Sequence, residues 1–229
     1  MEKSVTLESK NKSRTDTKKM VVLAVMAALA YIVMVVIKVP VVLFLKYEPK
    51  DVIITISGFM FGPLASLVTS AVVSLIEMVT VSDTGPIGAI MNFIGTSAFA
   101  CTAAIVYKKF HTIKGAFAGL CISTILMTAV MLAWNYLITP IYMGMPREAV
   151  AELLLPCFLP FNLLKGALNS ALTMLIYKPL SNVMRKAHIL PETQSKQSGE
   201  GNMKKYAFVY VIAAFVIATC IAVIFIWNL

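Results

Sequence analysis

Leu159-Pro160-Phe161-Asn162-Leu163-Leu164-Lys165-Gly166 puts a lysine near the middle of a stretch, Leu153–Tyr177, that otherwise reads as a membrane span. The stretch is long enough to cross a hydrocarbon core of about 30 Å. A lysine at mid-span costs roughly 2.5–3.5 kcal/mol on insertion scales, so an ionisable group there marks a candidate functional site. Asn162, Lys165 and Asn169 stand at i, i+3 and i+7 and share one helical face. That face carries a row of polar groups directed at something other than lipid. The competing explanation is a lysine paired with a carboxylate only to hold helices together.

Composition widens the same reading. Of 229 residues, 59% are hydrophobic and 14% charged, and the mean hydropathy is +0.84. Such a chain belongs to the polytopic membrane class, all-α in fold. The formal charge of +9 does not signal nucleic acid, because the basic residues cluster between apolar runs. Lys3, Lys10, Lys12, Arg14, Lys18 and Lys19 precede the first run, and Lys108, Lys109 and Lys114 fill one connection. Lys178, Arg185, Lys186, Lys196, Lys204 and Lys205 fill another. This is the positive-inside pattern, and it predicts a cytoplasmic N-terminus in a multi-pass plasma-membrane protein. Cys101, Cys121, Cys157 and Cys220 lie in apolar runs without metal-like spacing and read as small buried hydrophobes.

Along the chain, residues 1–19 are polar, basic and expected to be mobile. Met20–Ile37 is the first span, retained rather than cleaved. Residues 38–50 (KVPVVLFLKYEPK) form a loop that is oddly apolar for an exposed one. Asp51 opens a short second run to Phe61, which Gly62-Pro63 ends. Leu64–Val81 is the third run, and Ser82–Pro86 a turn. Ile87–Tyr107, Gly115–Ile138 and Leu153–Tyr177 follow as fourth to sixth spans, with loop 139–152 before the last. The expected division is a basic segment 1–19, a six-helix domain 20–187, a flexible linker 188–204 and an additional helix within 205–229. Seven crossings put the C-terminus outside. The seventh span, Tyr206–Trp227, carries no charged residue and is expected to be dispensable for binding.

Several polar residues inside these spans are candidate contacts. Glu77 is the acid deep in a span; it either pairs with Lys165, the favoured reading, or touches a ligand. Asn92, Asn135 and Asn162 offer amide donors and acceptors suited to hydroxyls or imides, or else hydrogen-bond between helices. Asp51 reads as the cap of the second helix. Pro156 and Pro160 either kink the sixth helix or leave carbonyls facing a cavity. Ala24 and Ala28 form a small-xxx-small pair, for an internal contact or for another protein's helix. His111 and His188 have no partner spacing, so no metal is assigned. There is no Gly-rich phosphate loop, no HExxH and no paired carboxylates; the chain is expected to need no cofactor and to catalyse nothing.

FMFGP (59–63), GPIGAIMNF (85–93), WNYLITPIY (134–142) and PFNLLKG (160–166), in that order, resemble the substrate-binding S component of energy-coupling factor (ECF) vitamin transporters, in particular the riboflavin-specific group. The resemblance covers about residues 18–187. It implies a six-helix bundle that binds riboflavin with high affinity and works with a transmembrane coupling subunit and two ATPase subunits. The seventh span is an addition to that pattern. By motif, Asn92, Asn135, Asn162 and Lys165 would line the vitamin pocket, and the loop Leu45-Lys46-Tyr47 would cover it. Ala24 and Ala28 would lie on the face that docks the coupling subunit. An S component for thiamine or a pyridoxine-like vitamin is the sister reading; a lipid-modifying intramembrane enzyme is the one from another class.

Overall fold

A chain this apolar satisfies its backbone in a bilayer only as helices or a closed barrel, and the computed structural model is a helical bundle. It describes residues 2–42, 45–81, 85–186 and 201–227. The elements run α1 (Glu2–Val36), β1 (Val39–Val42), β2 (Leu45–Tyr47), α2 (Lys50–Phe61), α3 (Pro63–Thr80), α4 (Gly85–Phe110) and α5 (Ile113–Met143). Then come α6 (Arg147–Leu153), a π-helical turn (Leu154–Phe158), α7 (Leu159–Lys186) and α8 (Gly201–Trp227). Five described segments are long and apolar enough to cross a membrane: Asp16–Val36, Pro63–Thr80, Gly85–Phe110, Ile113–Met143 and Arg147–Tyr177.

The apolar loop at 38–50 resolves into an antiparallel hairpin, with Val39 opposite Tyr47 and Pro40 opposite Lys46. Val41, Leu45 and Tyr47 point into the protein while Lys46 points out. The strand period of two thus explains why a connection should be so apolar. The next helix, α2, has 12 residues and is only about 18 Å long at 1.5 Å per residue. It is too short to span a bilayer by itself, and nine of its residues are buried. It is a core helix, packed between α1, α3, α4 and α7, and its charged first turn lies inside the bundle. Gly62 (φ 93°) makes the turn into α3 in a conformation that favours glycine, and Pro63 occupies the first turn of α3.

Other boundaries move. Residues 2–19, expected to be mobile, continue α1 as helix. The outer loop expected at 139–152 shrinks to Gly144-Met145-Pro146, because α5 runs to Met143 and α6 starts at Arg147. The prolines of the sixth span act through the π turn. Pro156 has no N–H to donate, and the backbone widens so that the Leu159 N–H reaches the Leu154 carbonyl five residues back. The turn at Ser82–Thr84, His188 and the linker up to Glu200 lie outside the described residues.

The added helix begins at Gly201 rather than Tyr206 and lies against α7, touching β1. Cys220 is buried in one apolar cluster with Val41, Leu45, Tyr47 and Phe161, with Val216, Ile217 and Ile224 packed alongside. At the opposite end of the bundle, the ends of α2, α4 and α7 meet in an aromatic knot. Phe59 stacks on Tyr107 (ring centroids 4.5 Å apart), and the Tyr107 and Tyr177 hydroxyls share a 2.7 Å hydrogen bond.

Candidate functional site

Between the hairpin, α4, α5 and α7 is a cavity of about 260 Å³. Helix α4 contributes Asn92, α5 contributes Trp134 and Asn135, and α7 contributes Asn162 and Lys165. Leu45 and Lys46 of the hairpin and Glu77 of α3 also line it. Of the residues singled out from sequence, all of these except Trp134, seven in number, come together here. Tyr47 does not line the cavity: although it shares a strand face with Leu45, it is buried in the apolar cluster with Phe161 and Cys220 and its hydroxyl is taken up by Asn169. Ala24 and Ala28 lie on the exposed side of α1, whereas Ala27 and Ala30 face the core.

The charge pairing differs from the reading in which Glu77 joins Lys165. Glu77 pairs with Lys50 and accepts a 2.6 Å hydrogen bond from Asn92 Nδ2. Lys50 also lies 2.9 Å from Glu48, which in turn meets Lys38 at 3.6 Å. Lys165 pairs instead with Asp51 at 3.3 Å. Nor is Asp51 a helix cap. Pro49 occupies the cap position of α2 and makes no side-chain cap bond. The Asp51 carboxylate is fully buried and saturated: Thr96 Oγ1 donates to Oδ1 at 2.6 Å, and Asn169 Nδ2 to Oδ2 at 3.1 Å. The physical reason is the hairpin, which carries the start of α2 below the protein surface. Lys50 and Asp51 must then find partners inside.

The amides are partly committed. Asn162 Nδ2 donates to the Phe158 carbonyl at 2.8 Å, and Asn135 Nδ2 to the Met131 carbonyl at 2.8 Å, while Asn135 Oδ1 accepts from Thr139 at 2.9 Å. Each has one amide hydrogen left, and Asn162 keeps its oxygen as well. Lys165 is 15% exposed along its side chain and faces the cavity. The walls thus present donors and acceptors among apolar groups such as Trp134 and Phe161, the mix usual in small-molecule sites. Behind the wall, the Tyr47 hydroxyl donates to Asn169 Oδ1 at 2.9 Å. Burial first, and the nearby Asp51 carboxylate second, hold this hydroxyl well above the usual phenol range. Sequence reading passed over Lys38, Glu48, Lys50 and Trp134, which line or brace the cavity. A usable signal was the length of α2: a 12-residue apolar run implies that the charges at its start are not at the membrane surface.

The family described as ECF transporter, substrate-specific component, matches residues 18–177, more than half of the chain. The protein belongs to this family. It is thus a non-catalytic, substrate-binding membrane subunit. Among relatives, it is 29% identical over 187 residues to the riboflavin transporter FmnP of Bacillus subtilis, covering 75% of this chain and 98% of that one. It is 28% identical over 182 residues to the riboflavin transporter RibU of Staphylococcus aureus, covering 75% and 94%. A solved structure of the S component of a bacterial ECF transporter superposes with a TM-score of 0.64 at 29% identity, covering 74% of this chain and 99% of that one. Helix α8 lies beyond the family match, which stops at residue 177.

Proposed function

We propose that this S component binds riboflavin from outside the cell with high affinity. It delivers the vitamin through a transmembrane coupling subunit and two ATPase subunits. The observation that carries the reading is the convergence of Asn92, Asn135, Asn162 and Lys165 on one cavity. An isoalloxazine ring presents carbonyl oxygens, ring nitrogens and one imide N–H, which amides and an ammonium complement. Its apolar edge suits Trp134 and Phe161. The relatives named as riboflavin transporters support the same ligand. A thiamine-like cation would meet Lys38, Lys46 and Lys165 in the walls, and the two carboxylates there, Glu48 and Glu77, already have lysine partners, which disfavours it.

Titrating purified protein with riboflavin and following flavin fluorescence tests the reading. Saturable quenching that excess thiamine or pyridoxine leaves intact is expected; displacement by either of those would transfer the assignment to it.

In this proposal the N-terminus is cytoplasmic, the hairpin faces outside, and the pocket belongs to the membrane domain 20–187. The exposed Ala24 and Ala28 lie on the face that meets the coupling subunit, since small residues allow backbones to approach closely in lipid. Replacing both with leucine should leave riboflavin binding by the isolated subunit unchanged while lowering uptake in cells. Equal loss of both activities would assign the pair to internal packing instead. A chain ending at Ala187 should fold and bind. It should release riboflavin faster, however, because the face of α8 around Cys220 no longer backs the hairpin. Unchanged release kinetics would show that this contact has no bearing on the pocket.

A further inference from the structure

Lys165, partly exposed to the cavity, and three buried polar residues form a line from the cavity wall to the hairpin. Lys165 Nζ meets Asp51 Oδ2 at 3.3 Å, Asn169 Nδ2 donates to the same oxygen at 3.1 Å, and the Tyr47 hydroxyl donates to Asn169 Oδ1 at 2.9 Å. Asp51 and Asn169 are fully buried, and neither lines the cavity. The second carboxylate oxygen of Asp51 is held by Thr96. Such groups touch a ligand only through Lys165. At the other end, Tyr47 is flanked in sequence by Lys46 and Glu48, which do line the cavity.

An apolar core would fill this space at no electrostatic cost, so the arrangement asks for another role. The Asn169 amide has its orientation fixed from both sides: its oxygen accepts from the hairpin and its nitrogen donates to the carboxylate that holds Lys165. Withdrawing Tyr47 orphans the amide oxygen in a dry interior. The amide is then held only through its nitrogen, at Asp51, and the ammonium loses part of what fixes its counter-ion.

We infer that Asp51 and Asn169 are positioning residues which make the placement of the Lys165 ammonium conditional on Tyr47, and hence the hairpin, being seated. The pocket then presents its charged donor fully only when its cover is in place. A ligand that engages Lys165 stabilises the seated hairpin in return, by the reciprocity of linked equilibria. The ligand side of this inference rests on the reading of the cavity as a riboflavin site; the link between hairpin and lysine does not.

The test uses the full chain in detergent, with riboflavin as the probe. Tyr47→Phe keeps the ring and removes only the hydroxyl. It should accelerate riboflavin release about three- to tenfold, the scale of one hydrogen bond, and lower the melting temperature by a few degrees, since a buried amide oxygen is left unpaired. In a Lys165→Met background, the same change should alter release by less than about twofold, because coupled sites are non-additive. Equal acceleration in both backgrounds would overturn the inference, since a merely structural tyrosine acts alike in each. A second readout needs no ligand: acylation of Lys165 by an amine-reactive ester, measured by peptide mass spectrometry. Labelling should rise in Tyr47→Phe and further in Asp51→Asn; unchanged labelling in both would sink the proposal. A parent protein that ignores riboflavin yet shows this labelling response would reject the ligand and uphold the link.

Discussion

Lys50→Met is expected to lower the melting temperature of the detergent-solubilised protein by on the order of 10 °C. Lys50 is 1% exposed and pairs with both Glu77 and Glu48. Its ammonium also lies 3.3 Å from the Met34 sulfur, and Lys50 itself does not line the cavity. Methionine keeps most of the stem's volume, which removes cavity formation as the cause of any loss. What remains is two carboxylates facing one another without their cation; breaking a buried pair this way costs about 3–5 kcal/mol. The double replacement Lys50→Met/Glu77→Gln should recover much of the loss, because removing a buried pair together is often close to neutral. Glu48 would still have Lys38 at 3.6 Å. A Lys50→Met protein that melts within about 2 °C of its parent would show that the network contributes little to stability.

The lysine of PFNLLKG and the asparagines of MNF and WNY were legible as a site because a polar group inside an apolar span stands out against its neighbours. Lys50 and Asp51 were not, for a reason contained in the hairpin. Charges in KYEPKD (46–51) sit between two apolar segments, where sequence alone reads a surface loop. Only the pairing of Val39 with Tyr47 shows that this connection folds inward and takes the start of α2 with it. The same step decided the ion pairs. With Lys50 treated as a loop residue, Lys165 was the one intramembrane cation available to Glu77; once Lys50 and Asp51 are inside, each charge has a nearer partner. Tyr47 was assigned to the cavity because its neighbours are there. Leu45 and Tyr47 share one strand face, yet Leu45 reaches the cavity while Tyr47, two residues nearer α2, hydrogen-bonds Asn169 behind its wall. The seventh helix was legible as a span, but its seat was not, since the apolar face around Cys220 and the lipid-facing side differ little in composition.

Lys165→Ala is expected to weaken riboflavin binding roughly tenfold to a hundredfold, the loss of one charge-assisted hydrogen bond at about 1.5–3 kcal/mol. The pairing with Asp51 makes the experiment more demanding than a single replacement. Removing the lysine also strips the fully buried Asp51 of its counter-ion, leaving Thr96 and Asn169 as its donors. The variant should therefore lose stability as well as affinity, and a fall in binding alone would not separate the two. Asp51→Asn/Lys165→Met separates them. It removes both charges at once and keeps an amide oxygen for the Thr96 hydroxyl; once the Asn169 amide flips to accept from the new NH2 and donate to the Tyr47 oxygen, stability should return toward that of the parent. Affinity should not return, because the ammonium that faces the cavity is still missing. Calorimetry with riboflavin and a melting curve on each of the three proteins supply the comparison. If the double variant regained parental affinity along with stability, Lys165 would serve only to neutralise Asp51, and the donor that recognises the ligand would have to be sought among Asn92, Asn135 and Asn162.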